Sequence, residues 1–281
     1  MKINIPVEQT IKKRYSVRTY EKRKLSLEDK ERLLAFVDNL ANPFGEKLKI
    51  HLIEKTTVPN GEKLGTYGFI KGASSFLGVS VENTEFGLEA AGYEFENLIL
   101  YATHIGLGTV WLAGTFSRDN FSAAMGIKEN ELFPAISPVG YPADKLRLKE
   151  SVMRKIIKAD QRKPWSKLFF NNNFSTPLTK EEAGLYAVPL EMVRLAPSAS
   201  NAQPWRIVKD RDVFHFYETH GFNTIGFEKL IKRIDLGIGI SHFHQTVLEH
   251  GLNGRFEKLS QQDIEVPQNT RYTISWISEK D

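Results

Sequence analysis

The sequence predicts an α+β protein built from two tandem copies of one α+β unit. Three observations support this fold class. The order helix, strand, long helix, strand occurs twice, segments of the second half repeat segments of the first, and 281 residues suit two domains of roughly 150 residues each. We place the first repeat, with a basic tail, at 1–170 and a second, shorter repeat at 171–281.

The first half opens with an amphipathic helix and ends in a strand. Apolar residues at helical spacing follow Ser26, a candidate N-cap, and predict a helix of about 14 residues. Alternating and β-rich runs predict strands at 47–54 and 76–81. A long, largely buried helix runs from Leu88 to Gly106, where the glycine ends it. A helix around 118–126 and a Pro/Gly-rich strand and turn at 133–145 follow.

The second half repeats this order. An amphipathic helix is predicted at 181–195, strands at 206–210 and 213–218, a long helix at 233–251 and a closing strand at 271–278.

Two pairs of segments support a duplication. ANPFGEKLKIHLIEK (41–55) aligns with NAQPWRIVKDRDVFHFYE (201–218) through a shared asparagine, proline and aromatic residue. AAGYEFENLILYATHIGLG (90–108) aligns with DLGIGISHFHQTVLEHGLN (235–253) at a constant shift of 145 residues. The shift pairs Gly106 with Gly251, so both long helices are expected to end alike.

Composition excludes several classes of function. With 41% hydrophobic and 26% charged residues, the chain is of the ordinary globular type. The absence of cysteine excludes disulfides, thiolate nucleophiles, iron–sulfur clusters and cysteine zinc sites. Neither a membrane-spanning apolar stretch nor an apolar signal core is found, so we expect a cytoplasmic protein that does not bind membranes.

The basic residues are concentrated in one segment. The net charge is +4, and 144–167 alone carries +6 from nine basic and three acidic residues. A solvated linker helix explains this segment most simply, and an anion site comes second. Nucleic acid is not an expected partner, because no aromatic residues alternate with the basic ones.

A metal site is not expected from the histidines. His242 and His250 share one face of the predicted helix, and His244 lies roughly 160° away from that face. We interpret His104, near the end of the first long helix, as a core histidine.

Three short motifs carry the functional prediction: RYSVR (14–18), GLGTVWLAG (106–114) and APSASNAQPW (196–205). Each is weak alone. Together, in this order of helices and strands, they resemble the FMN-dependent nitroreductase family, and in particular its subgroup with two fused copies in one chain. GYPADK (140–145) and RKPWSKLFF (162–170) are similar to that family's strand exit and basic C-terminal tail.

The resemblance implies a nitroreductase-like fold, an intramolecular pseudo-dimer of the two repeats, and FMN as cofactor. Paired arginines and a hydroxyl suit a dianionic phosphate, and this role falls to Arg14, Ser16 and Arg18, helped by Arg162 or Lys163.

The resemblance also implies which residues would contact the flavin ring. The amide of Asn201 suits the pyrimidine edge because an amide both donates and accepts hydrogen bonds; its alternative is a turn former. Pro197 and Ser198 would lie along the ring plane. A backbone N–H from Leu112, Ala113 or Gly114 would lie near N5.

The motifs of the two repeats are complementary. The first repeat has the arginine motif but only ANPFG at the position of the asparagine motif, whereas the second has APSASNAQPW but no arginine motif. Asn253 also replaces the second glycine of GLG. We therefore expect one composite FMN site, the other site having decayed.

The function implied is an NAD(P)H oxidoreductase that passes hydride through flavin N5 to a nitroaromatic, a quinone or a similar small-molecule acceptor. The flavin carries this chemistry, so no catalytic side chain is assigned. The alternatives are a flavin-binding or degenerate scaffold protein without robust turnover, since Tyr15 replaces a common second arginine, and reductive dehalogenation. We expect a monomer, and the sequence leaves further oligomerisation and the choice of NADH or NADPH open.

Overall fold

The computed structural model describes residues 2–54, 64–143, 161–221, 226–260 and 263–279. Packing divides the chain into two units. We call residues 13–159 the N-terminal unit, and residues 1–12 together with 160–281 the C-terminal unit. Most of the basic segment, 144–160, lies outside the described residues.

The N-terminal unit is a four-stranded antiparallel sheet covered by helices. Its strands are β1 (Leu48–Ile53), β2 (Ser75–Glu82), β3 (Gly108–Thr109) and β4 (Glu131–Gly140), in the spatial order β1-β2-β4-β3. Helix α1 (Val7–Lys13) precedes it, and α2 (Leu27–Val37), α3 (Gly87–His104) and α4 (Arg118–Met125) belong to it.

Alternation along β2 separates the two faces of this sheet. Leu77 and Val79 belong to the core that also contains Leu33 of α2 and Phe95 of α3. Phe76 belongs to the opposite core, with Phe121 of α4 and others. The sheet is therefore covered on both faces, and the buried α3 is held against one of them.

The C-terminal unit repeats this topology and adds one strand. Its strands are β5 (Phe169–Asn171), β6 (Trp205–Asp210), β7 (Val213–Thr219), β8 (Asn253–Glu257) and β9 (Thr270–Glu279). The spatial order is β5-β6-β7-β9-β8, and β5 pairs with β6 in parallel. Without β5, this order matches β1-β2-β4-β3 strand for strand, so the α+β fold consists of two repeats.

The helices of the C-terminal unit are α5 (Lys180–Ala183), α6 (Ala187–Leu195) and α7 (Phe227–Glu249). Aromatic rings fill the space between α7 and the sheet: Phe243 lies 5.2 Å from Phe216 and 5.9 Å from Trp276, between ring centroids. Within the described residues, no helix is long and apolar enough to cross a bilayer.

The start of the chain packs against the end of α7. The N–H groups of Val7 and Glu8, in the first turn of α1, each donate to the Glu249 carboxylate at 2.8 Å. The Ile3 N–H donates to Gln245 Oε1 at 3.0 Å. A carboxylate thus satisfies N–H groups that have no partner inside the helix. Residues 1–12 and 161–170, which the sequence assigned to the first repeat, therefore pack in the C-terminal unit, and the repeat boundary at 170 stays a prediction.

Most predicted elements are present, with differences at their ends. The helix after Ser26 has 11 residues, and the last helix begins at Phe227 rather than near 233. The single helix predicted at 181–195 is wrong: it breaks into α5, a 3₁₀ turn (Gly184–Tyr186) and α6. Gly184 has φ 56° and ψ −128°, a conformation open essentially to glycine alone, and this ends α5.

Candidate functional site

The predicted site residues fall into two sets, one in each unit. In the N-terminal unit, the RYSVR segment is fixed by backbone bonds on two sides. The Val17 N–H donates to the Thr109 carbonyl of β3 at 2.9 Å, and the Lys71 N–H donates to the Arg18 carbonyl at 3.0 Å. Ser16 and Arg18 are half-buried. These bonds also bring Lys71, which the sequence did not indicate, beside the motif.

Gly108, the second glycine of GLG, makes room for this segment. A Cβ added at Gly108 would lie 2.8–2.9 Å from the side-chain atoms of Val17, which is closer than carbon atoms pack. In the second repeat, the corresponding residue Asn253 is exposed. The glycine is therefore needed only in the repeat that carries the arginine motif.

Arg14 faces the interior of the N-terminal unit. Its side chain is only 7% exposed, and its Nε lies 3.9 Å from Oε1 of Glu96, a fully buried residue of α3. Trp111 Nε1 donates to the other oxygen of Glu96 at 2.6 Å. Because a buried carboxylate needs a compensating charge, Arg14 has a structural partner in Glu96, and its contact with a phosphate stays a prediction.

The predicted N5 segment, 112–114, follows β3. The Leu112 N–H donates to the Ile136 carbonyl at 2.9 Å, and the Ile136 N–H donates back at 3.0 Å. Arg118 Nη2 donates to the Ala113 carbonyl at 2.7 Å, which holds the loop in place. Gly114 is exposed. The Leu112 N–H is already bonded within the sheet. The candidates for the predicted N5 contact are therefore the N–H groups of Ala113 and Gly114.

The APSASNAQPW loop of the C-terminal unit is conformationally strained. Ser200, Asn201 and Gln203 have φ values of 51°, 55° and 48°, in the left-handed region that residues other than glycine rarely adopt. Ser198 Oγ accepts the Gln203 N–H at 2.9 Å. Strain of this kind, on the order of 1–3 kcal/mol for each residue, is concentrated at functional sites.

Asn201 is joined to the segment that contains the predicted basic residues. Its Nδ2 donates to the Gln161 carbonyl at 2.8 Å, and its Oδ1 accepts from Arg162 Nη1 at 3.4 Å and from Gln203 Nε2 at 3.2 Å. The structure thus places Asn201 beside Arg162 and Lys163. Asn201 is the last residue of the 3₁₀ turn Ala199–Asn201, and its contact with a flavin stays a prediction.

Lys163 lies in a positively charged environment. Its Nζ donates to the carbonyls of Ala202 at 2.7 Å and Gln203 at 3.3 Å. Burial, with Arg206 and Lys232 nearby, lowers the pKa of Lys163 to about 8. Burial also lowers the pKa of Arg206 to about 10. An anion bound here would favour the ammonium form and raise the pKa of Lys163 again.

A cavity of about 530 Å³ opens beside this loop. It is large enough for part of a cofactor or a small substrate. Its lining combines loop residues with cationic side chains and includes Lys163, Ala199, Ser200, Ala202, His220 and Lys232.

Asp235 of α7 was not identified from the sequence as a site residue. Its Oδ1 accepts the Ala199 N–H of the loop at 2.9 Å. The only signal in the sequence is one carboxylate in the apolar run IDLGIGI (234–240).

The histidines of α7 have separate surroundings. His242 Nδ1 lies 2.9 Å from the Met192 carbonyl, His244 packs against the rings of Phe256 and Trp276, and His250 lies 3.4 Å from Glu8. Among the residues that the structure describes, no three His, Asp or Glu side chains converge as a metal site would require.

Comparison with known proteins identifies the family. A family model described as "Putative TM nitroreductase" matches residues 6–247. The chain therefore belongs to this nitroreductase family. No curated protein matches the chain.

One solved structure has the same fold over nearly the whole chain, and two others match about half of it. A "putative nitroreductase" from Thermotoga maritima is 21% identical, with a TM-score of 0.61 over 99% of this chain and 95% of that one. A nitroreductase with bound FMN from Bacteroides fragilis is 21% identical, with a TM-score of 0.42 over 52% of this chain and 92% of that one. An FMN-dependent nitroreductase from Clostridium difficile is 15% identical, with a TM-score of 0.40 over 49% and 88%.

Proposed function

We propose that this protein is an FMN-dependent NAD(P)H oxidoreductase that reduces nitroaromatic, quinone or similar acceptors. Family membership supports the class. The observation that carries the proposal is the strained loop at Ser200, Asn201 and Gln203, since such strain persists where a binding site requires it. Bound FMN would supply hydride transfer through N5, and the protein would supply binding and orientation.

The residues of the two sets have the chemistry that FMN needs. Arg18 and Ser16, with Arg14, would hold the phosphate through charge-assisted bonds. Both Arg162 and Lys163 donate to backbone carbonyls. Lys163 is the better additional partner because Arg206 and Lys232 lie near it, and an anion would offset the repulsion among these three cations.

The flavin ring would be oriented by amide and backbone groups. Asn201 would hydrogen-bond the pyrimidine edge of the flavin. Pro197 and Ser198 would lie along the ring plane, and the N–H of Ala113 or Gly114 would lie near N5. We propose that the chain binds one FMN, because each repeat lacks the motif that the other carries. A titration that ends at two FMN per chain would contradict this stoichiometry.

Arg18→Ala tests the phosphate contact. Loss of a hydrogen bond to a charged group, about 1.5–3 kcal/mol, should weaken FMN roughly 10- to 150-fold and leave the affinity for riboflavin, which has no phosphate, nearly unchanged. Arg32→Ala, which removes an exposed arginine paired with Asp29, is the matched control. Equal losses for both ligands would place Arg18 away from the phosphate.

Asn201→Ala tests the second set. FMN affinity should fall by about 1–3 kcal/mol, whereas Asn253→Ala, an exposed control in the same unit, should have no effect. Anaerobic NADPH or NADH should bleach the bound flavin of the parent protein. A flavin that binds but is not bleached by either would support the scaffold alternative and contradict the oxidoreductase.

A further inference from the structure

Asp235 is a buried carboxylate that joins α7 to the strained loop. The residue is 2% exposed. Its Oδ1 accepts the Ala199 N–H at 2.9 Å, and its Oδ2 lies 3.9 Å from Lys232 Nζ. Among the described residues, Oδ2 has no hydrogen-bond partner. The carboxylate therefore directs its one short bond to the first residue of the 3₁₀ turn Ala199–Asn201.

The bond acts where the backbone is under strain. Ser200 and Asn201, the next two residues, both have left-handed φ values. A strained segment keeps its shape only where surrounding contacts determine it. The Ala199 N–H bond is one such contact, and the Ser198 Oγ bond to the Gln203 N–H is another.

We propose that Asp235 is a positioning residue: its carboxylate holds the 198–203 loop in the shape that binds the cofactor, and it does so more strongly when ionised. This inference rests on the proposed function, because it takes Ser198 and Asn201 as flavin contacts. A charge-assisted bond is about twice as strong as a neutral one, so protonation of Asp235 would loosen the loop.

The surroundings place this protonation near neutral pH. Burial raises the pKa of Asp235 to about 7, assisted by Glu218 and opposed by the Ala199 N–H and Lys232. Glu218 lies on β7 and is itself bonded to Arg271 of β9 at 2.9 Å, with His220 Nε2 at 3.6 Å. Asp235 and Glu218 are thus two buried carboxylates that repel each other; Lys232 lies beside the first, and Arg271 and His220 lie beside the second.

The test compares Asp235→Asn, which keeps an acceptor, with Asp235→Leu, which removes it. FMN dissociation constants are measured from pH 5.5 to 8.5 as ratios to the parent, which cancels the titration of the FMN phosphate and of Lys163. The Asn variant should match the parent at low pH and bind roughly 5-fold more weakly at high pH. The Leu variant should bind roughly 5- to 100-fold more weakly throughout.

Stability separates positioning from a merely structural role. A raised carboxyl pKa means that the folded state loses stability as pH rises towards 7. Asp235→Asn should therefore be more stable than the parent at pH 8 while binding FMN more weakly, and a purely structural residue would move both quantities together. Two results would overturn the inference about Asp235 and leave the proposed function standing. One is a ratio of FMN dissociation constants, Asp235→Asn to parent, that does not change with pH, and the other is unchanged FMN binding by Asp235→Leu. A parent protein that does not bind FMN overturns the proposed function and this inference with it.

Discussion

The two repeats enter their sheets through similar Asn–Pro–aromatic segments, which fold differently. In the first repeat, Asn42 Nδ2 donates to the Glu46 carbonyl at 2.8 Å and to Glu94 at 2.5 Å, and its Oδ1 accepts the N–H groups of Phe44 and Glu46. The positive φ in that loop is at Gly45, where it involves no strain. In the second repeat, Ser200, Asn201 and Gln203 hold left-handed conformations. The repeat without the APSASNAQPW motif therefore has its positive φ at a glycine, whereas the repeat with the motif has it at three residues that are not glycine.

The ends of the long helices differ much less. Helix α3 ends at His104 and α7 at Glu249, again 145 residues apart. The Leu107 N–H donates to the Ala102 carbonyl at 2.8 Å, and the Leu252 N–H donates to Val247 at 3.0 Å. The two helices thus end with the same backbone geometry, whereas side chains at equivalent interior positions differ. Glu96 corresponds to Ser241, and Ile99 corresponds to His244.

The largest expected difference concerns Glu96 and Ser241. Arg14→Met would leave the Glu96 carboxylate without its charge partner, and we expect a loss of about 3–5 kcal/mol in the N-terminal unit. This loss is measured by urea unfolding without FMN, with hydrogen exchange of the β4 amides as the probe for the N-terminal unit. Arg14→Met with Glu96→Gln should recover part of the loss. Ser241→Ala should cost no more than about 1.5 kcal/mol, and equal losses for Arg14→Met and Ser241→Ala would show that the pair is not structural.

The pair of Ile99 and His244 predicts a difference in acid stability. Burial lowers the pKa of His244 to about 4, below the unfolded value of about 6.5. The unfolded state therefore binds the proton first, and stability on the order of 3 kcal/mol is lost as pH falls from about 6.5 towards 4.

The variant His244→Leu should remove this slope in the C-terminal unit. Asp235 contributes with the opposite sign, so the difference between parent and variant at each pH isolates His244. Unfolding midpoints from pH 4 to 8 provide the measurement, and parallel curves would contradict the prediction.

Gly108 and Asn253 should respond differently to the same substitution. Gly108→Val would press against Val17 and should cost about 1–3 kcal/mol, with weaker FMN binding as the arginine motif shifts. Asn253→Val, at an exposed position, should stay within about 0.5 kcal/mol. Denaturant midpoints of both variants test this, and a tolerated Gly108→Val would show that the close approach is not required.

Helix caps should give the smallest and most similar effects. Ser26 Oγ accepts the Asp29 N–H at 3.1 Å, and Thr179 Oγ1 accepts the Glu182 N–H at 3.1 Å. Ser26→Ala and Thr179→Ala should each cost about 1 kcal/mol. If thermal unfolding shows one loss several times larger than the other, the caps are not equivalent.

How far the sequence predicts this fold depends on whether a pattern is local. Helix α3 was predicted to within two residues at each end, because apolar side chains recur along its buried length and Gly106 lies just beyond its end. The break at Gly184 was missed because amphipathic spacing continues through it. The short β5 forms by pairing its three residues with β6, and α1 is held by Glu249, so neither leaves a local pattern in the sequence.

In the candidate site, too, local features were predicted from the sequence and features that depend on distant residues were not. The motifs supplied the residue types at Arg18, Ser198 and Asn201, since hydrogen-bonding chemistry can be read from side chains. The backbone conformation of the loop could not be predicted, because part of what holds it comes from Asp235, 36 residues beyond Ala199. The use of the Leu112 N–H by Ile136 is likewise a property of the sheet.

The segments that flank the N-terminal unit affect the order in which the protein can fold during synthesis. Residues 13–159 leave the ribosome as one continuous stretch and can fold while translation continues. The first twelve residues leave earlier, yet α1 packs against the end of α7, which is made more than 200 residues later. Until then Ile3 and Val7, which are 7% and 0% exposed in the finished protein, stay in water. The nascent chain therefore carries this apolar segment unpaired with α7 through the synthesis of the whole N-terminal unit.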